Sequence, residues 1–158
     1  MADDDVEAVM AAARVLVAVT AQSVAVVEDD VTLSQLRVLV MVASRNAPNL
    51  GAVATSLGVH PSNATRAVDR LVTAGLLSRS DDPSDRRNLV LELTPEGDEL
   101  VKRVMGARRE AIAAILEKMP PGRRRSLVPV MRAFAEAGGE TWKDDAAWSL
   151  GWTTTSTH

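Results

Sequence analysis

Between His60 and Leu93 the chain gathers the side chains best suited to binding an anionic polymer. Pro61 opens a short helical stretch carrying Ser62, Asn63, Thr65, Arg66 and Arg70, Gly75 stops it, and an arm around Asp85, Arg86 and Arg87 follows. A helix with polar and basic groups near its start suits a major groove. There a guanidinium at Arg66 pairs bidentately with guanine, for about 1–3 kcal/mol of discrimination. Arg70, one turn later, suits a phosphate. An arginine on an arm suits a narrow A·T-rich minor groove, where negative potential is enhanced. Double-stranded DNA is the substrate these residues point to. Each also has a plain alternative: Ser62, Asn63 and Thr65 as first-turn polar residues, Asp85 as a turn aspartate, and Arg87 as a solvated loop charge.

Other chemistries find little to work with. The 158 residues contain no cysteine, which excludes disulfides, thiolate metal sites and a thiol redox sensor. The two histidines, His60 and His158, are too few and too far apart for a zinc site. No tyrosine, paired histidine or glycine-rich phosphate loop suggests catalysis, and no metal or cofactor is expected. No apolar run is expected to approach the roughly 20 residues of a membrane span. The acidic start, Asp3 to Asp5, lacks the basic region of a signal peptide. A cytoplasmic protein without a membrane partner is the expectation. The formal net charge of −3 looks wrong for a DNA binder, but it is unevenly spread. Residues 1–30 hold seven acidic side chains against Arg14 alone, which leaves the remainder at +3. Local charge, not the total, governs phosphate affinity. Pro61 to Leu89 holds five arginines against four aspartates, so moderate affinity with strong salt dependence is expected.

The elements that must position these residues follow from hydrophobic spacing. With 46% hydrophobic residues and only 3% aromatics, the core must be aliphatic, and the alanines and leucines favour helices. Residues 6–27 are apolar almost all round, so that helix requires cover on several sides, best supplied by a second protomer. Thr32 and Gln35 form a capping-box pattern, after which Leu36, Leu39, Val40 and Ala43 give an apolar face. Pro48 and Asn49 punctuate; Asn49 caps a short helix through Leu57, and Gly58 stops it. In the next helix Ala64, Ala67, Val68, Leu71 and Val72 face the core, leaving Asp69 with the polar residues for solvent or DNA. Leu76–Ser80 and Asn88–Leu93 read as paired strands joined by a polar loop. Thr94 and Pro95 open a helix of about 25 residues that Pro120 ends. A last helix runs from Pro121 through Ala137, with Pro129 expected to kink or break it. The fold class is mainly α with a small β-hairpin.

Two segments, LGAVATSLGVHPSNATRAVDRLVTAGLLSR and DDPSDRRNLVLELTPEG, resemble the MarR family of winged helix-turn-helix transcriptional regulators. The second is the more specific: an Asp-x-Arg wing, a strand, then Thr-Pro-Glu-Gly opening a helix. The likeness covers most of residues 6–137. It implies a winged helix-turn-helix with long N- and C-terminal dimerisation helices, a homodimer, a recognition helix in the major groove and a wing in the flanking minor groove. It also implies a small-molecule pocket between the dimer helices and the reading module, without identifying residues for it. By position Arg87 matches the inserted wing arginine, Asp85 the aspartate that steadies it, and Ser62, Asn63, Thr65 and Arg66 the base- and backbone-contacting positions.

The chain thus divides into residues 1–30 and 94–139 as a helical dimerisation region, 31–93 as the DNA-binding module and 140–158 as a tail. The expected function is a homodimeric repressor on a pseudo-palindromic operator, relieved by a small-molecule effector. The alternative is a winged-helix protein-interaction module that does not read DNA sequence. The family's peroxide-sensing members use a cysteine, which this chain lacks. The resemblance assigns no role to the tail bearing Trp142, Trp148 and Trp152. His60 reads as a helix-boundary residue. Arg123, Arg124 and Arg125 read as solvated charge, with the partner's Asp3 to Asp5 as an alternative mate.

Overall fold

The computed structural model describes residues 3–44, 49–85 and 89–139. Along these the order is α1 (Asp3–Ala25), α2 (Leu33–Ala43), α3 (Leu50–Leu57), α4 (Pro61–Thr73), β1 (Leu77–Asp81), β2 (Leu89–Leu93), α5 (Pro95–Glu117) and α6 (Pro121–Ala137). Pro48 and the tryptophan-bearing tail lie outside the described residues.

Each helix of the central module starts where a side chain can satisfy its free N–H groups. The Thr32 hydroxyl accepts from the Gln35 N–H at 3.2 Å, and the Gln35 carboxamide oxygen accepts from the Thr32 N–H at 2.8 Å, completing the capping box. Asn49 accepts from the Ala52 N–H at 2.9 Å. Both short helices end in the same way. Gly58 and Gly75 take φ values of 64° and 74°, a region costly for other residues. The N–H of Val59 then reaches the carbonyl of Ala54, and that of Leu76 the carbonyl of Leu71. This closure consumes Leu76, so the first strand begins at Leu77, one residue later than the hydrophobic pattern suggests.

The core forms around α2, which packs on α3, α4, α5 and β2. Leu36, Val38, Leu39, Val40, Met41 and Val42 are all buried there, so α2 is enclosed on more than the single face its spacing predicts. Val53, Ala64, Val68, Leu71, Leu77, Leu91, Leu100, Val101 and Val104 complete the cluster. Between α1 and α5, the Arg108 side chain is buried and donates Nε–H and Nη2–H to the Ser23 hydroxyl, at 3.3 and 3.2 Å. Burial lowers the pKa of that guanidinium. The turn after α1 is tied to α5 by Arg103, which meets Asp30 at 3.1 Å and the Val26 carbonyl at 2.8 Å.

Pro129 does not break α6, which runs from Pro121 to Ala137 with the proline inside it. Proline removes one backbone bond, to the Arg125 carbonyl, but α6 buries no residue, so water can solvate the freed group. α1, at 23 residues, is long and apolar enough by length and composition to cross a membrane, contrary to the expectation of no such run. Its Val19 and Ser23 are nevertheless buried within the protein.

Candidate nucleic-acid interface

α4 places the predicted residues on one outward side. Ala64, Val68 and Leu71 are buried, while Ser62, Asn63, Arg66 and Arg70 are exposed and Thr65 is half-buried. The helical period produces this split, since residues three and four apart share a face. The hydroxyls are not equally available. Thr65 donates its hydroxyl to the Pro61 carbonyl at 3.0 Å, so in this conformation its Oγ1 offers only acceptor capacity outward. The Ser62 hydroxyl lies 2.9 Å from His60 Nδ1, and that nitrogen accepts from the Ser62 backbone N–H at 3.3 Å. His60 is therefore the N-cap of the helix, a structural role consistent with its position at the boundary.

Arg66 and Arg70 line a cleft of about 240 Å³ with Asn63 and Ala67 on one wall and the cap residue Thr32 with Ser34 and Gln35 of α2 on the other. Two guanidiniums and neutral hydrogen-bonding groups give this cleft the chemistry of an anion seat. Sequence reasoning missed the α2 wall, because Thr32 and Gln35 were read only as a cap. Their second role depends on α2 and α4 packing side by side.

The wing is a two-stranded antiparallel hairpin with Leu77 opposite Leu93, Arg79 opposite Leu91 and Asp81 opposite Leu89. Leu77 and Leu91 are buried and root it in the core. Beyond β1 the Asp82 carboxylate accepts from the Ser84 hydroxyl at 2.7 Å and the Ser84 N–H at 2.8 Å. Those bonds hold its pKa below the ordinary 3.8. Asp82 thus organises this part of the wing turn, a residue the sequence reading passed over although Asp-Pro-Ser is a turn signal. Asp85 is exposed at the end of this described stretch, and Arg86 and Arg87 lie outside the described residues.

One assignment needs correction. Asp69 is not left for solvent or DNA alone: its carboxylate holds the Arg79 guanidinium of β1 at 2.5 Å. Two features also join the module to the long helix. Thr94 donates its hydroxyl to the Gly75 carbonyl at 2.6 Å and accepts from the Gly97 N–H at 3.1 Å. A Cβ on Gly97 would stand 2.0 Å from the Leu76 carbonyl oxygen, so only glycine fits that part of the Thr-Pro-Glu-Gly motif.

Comparison with known proteins agrees with this geometry. A family model described as the MarR family matches residues 31–89. The uncharacterized HTH-type transcriptional regulator Mb0904 of Mycobacterium bovis is 33% identical over 109 residues, 67% of this chain and 76% of that protein. The HTH-type transcriptional repressor MdtR of Bacillus subtilis is 34% identical over 86 residues, 54% of this chain and 56% of that protein. The crystal structure of RV1404 from Mycobacterium tuberculosis is similar with a TM-score of 0.76 and 43% identity, covering 89% of this chain and 97% of that chain. Helix-turn-helix and hairpin wing, in this order and with this sequence likeness, place the chain in the MarR family of transcriptional regulators.

Proposed function

We propose that the chain is a homodimeric repressor that reads a pseudo-palindromic operator. The observation that carries the DNA reading is the outward face of α4, where Asn63, Arg66 and Arg70 stand exposed beside a basic cleft. Arg66 reads a base edge and Arg70 a phosphate. Ser62, Asn63 and Thr65 make the accompanying polar contacts. Arg86 and Arg87 serve the minor groove, with Asp85 as the wing's support.

The dimer is supported by surface that a single chain leaves uncovered. Val17 of α1 is 68% exposed and Phe134 of α6 is 56% exposed, amid Leu16, Val128, Val130 and Met131. Helices in proteins owe most of their stability to packing, and α6, with Pro129 inside it, buries no residue, which favours a partner surface for it. Residues 1–30 and 94–139 supply this dimerisation region, and 31–93 the reading module. Two copies would place their recognition helices on half-sites about 34–36 Å apart or a multiple of it.

Repression follows from occupancy: the bound dimer obstructs polymerase in the cytoplasm. Relief by an effector is supported by a cleft of about 500 Å³ at the junction of the module and α5, lined by Leu76, Leu100, Arg103, Glu96, Glu99 and Asp30 among others. A ligand there would shift the spacing of the two α4 helices, which DNA does not accommodate, and the coupling must be reciprocal. Selection of bound duplexes from a random library, with and without candidate effectors, tests the whole reading. Enrichment of an inverted repeat supports it. Absence of any enriched duplex at low salt would refute it.

A further inference from the structure

We propose that Asp69 and Arg79 form the joint that fixes the wing's angle against the recognition helix, an inference that rests on the DNA reading above. Asp69 lies three residues after Arg66 and four after Thr65, hence one turn along the same side of α4. An unpaired carboxylate there would repel the phosphates that Arg66 and Arg70 are placed to meet. Its pairing with Arg79 at 2.5 Å neutralises it without removing it.

The other half of the joint lies at a mechanically significant point. Strand alternation puts Arg79 on the same face as Leu77, whose side chain is 2% exposed, and opposite Leu91, at 4%. Those two leucines anchor the base of the hairpin. Arg79 is the next residue outward on that face, and cross-strand pairing stops two residues later, at Asp81 and Leu89. The Asp69–Arg79 pair ties the wing to the body outward of those leucines. Three residues past it, roughly 10 Å along an extended chain, a tilt of about 10° moves the backbone by roughly 2 Å. The minor groove is only about 6 Å wide, so a shift of that size misplaces an arm meant to enter it. Arg79 and Asp69 are therefore positioning residues: they contact each other and act through the side chains they aim.

The test uses the full chain, a duplex enriched from the random library, and the variants Asp69→Ala, Arg79→Gln and the reversed pair Asp69→Arg with Arg79→Glu. Hydroxyl-radical footprints report the flanking minor groove, and guanine N7 methylation reports the major groove. Each single change should weaken affinity about two- to fivefold, the range of an exposed ion pair. Each should erase the flanking minor-groove protection while central major-groove protection stays. The reversed pair should restore both affinity and footprint. If Arg79→Gln instead lowers the salt slope by about one and reversal restores nothing, Arg79 is a phosphate ligand and the joint is wrong. If Asp69→Ala changes the preferred base, Asp69 reads DNA and the joint is equally wrong. Tryptic cleavage after Arg86 and Arg87 in the free protein separates this proposal from the DNA reading. Faster cleavage in both single variants, reversed in the swap, supports the joint even if no duplex binds. Unchanged cleavage together with unchanged footprints would overturn it.

Discussion

Gly97→Ala should be among the more damaging methyl additions this chain can suffer, whereas Gly106→Ala, nine residues on in the same helix, should stabilise it. A Cβ at Gly97 would lie 2.0 Å from the Leu76 oxygen, 3.0 Å from its carbonyl carbon and 3.4 Å from its Cα. The obstacle is backbone on both sides, so α5 and the start of β1 must separate by more than an ångström. That movement breaks the two bonds that cross the gap: the Thr94 hydroxyl to the Gly75 carbonyl at 2.6 Å and the Thr94 N–H to the Leu76 carbonyl at 3.2 Å. Two hydrogen bonds at roughly 0.5–1.5 kcal/mol each give a loss of about 1–3 kcal/mol, which is also the scale of overpacking a core. For a chain of this size that lowers Tm by roughly 2–12 °C. Nothing lies within 4 Å of a Cβ on Gly106 among the described residues. Alanine there gains roughly 0.5–1 kcal/mol of helix preference over glycine, and Tm should rise by a few degrees. Thermal unfolding followed by circular dichroism, at one fixed protein concentration because dimerisation shifts Tm, checks both. A Gly97→Ala protein melting within two degrees of the parent, or two variants moving in the same direction, would refute the close-approach argument.

Arg66→Ala should cost about 1–3 kcal/mol on the selected duplex and relax the preference at one base pair, while Arg70→Ala should weaken all duplexes alike and reduce the salt slope by about one. Fluorescence anisotropy across a salt series distinguishes them, and identical behaviour would contradict the assigned roles. Phe134→Glu places a charge on a side chain that is 56% exposed in one protomer. If α6 is a dimer surface, its dissociation constant should rise at least about tenfold by sedimentation; a parent protein that is already monomeric at micromolar concentration defeats the dimer. Asp82 titrates below the ordinary 3.8 because Ser84 bonds favour its charged form. The order these bonds give the wing turn is present above that value and lost as pH falls through the lower folded value. Ser84→Ala should move the carboxyl midpoint up toward 3.8 in a carbon-13 titration, and an unmoved midpoint would show that other groups set it.

Much of the local structure was legible because it depends on neighbours in the chain. As caps and turns, Thr32 with Gln35, Asn49, Gly58, Pro61, Gly75 and Thr94 reach only four or five residues along the chain, so those roles follow from local backbone geometry alone. The outward set on α4 was legible for the same reason: the helical period sorts Arg66 and Arg70 from Val68 and Leu71 before any tertiary contact exists. Pro129 shows the limit of such rules. Its intrinsic penalty is real, but exposure decides whether the freed carbonyl is costly, and exposure belongs to the folded chain.

The sequence by itself determined the order of elements, the caps of the central helices, and which side of α4 carries polar and basic groups, because these arise from spacings of two to five residues. Only the tertiary structure decided what those elements touch. It enclosed α2 through Val38, Met41 and Val42, buried Arg108 against Ser23 from 85 residues away, and pressed Gly97 onto the Leu76 carbonyl. It brought Ser34 and Gln35 beside Arg66 and Arg70, and it turned Asp69 from a free surface acid into the mate of Arg79. Such pairings are set by how helices and a hairpin pack around a common aliphatic core, and no local spacing encodes which residues that packing will bring together.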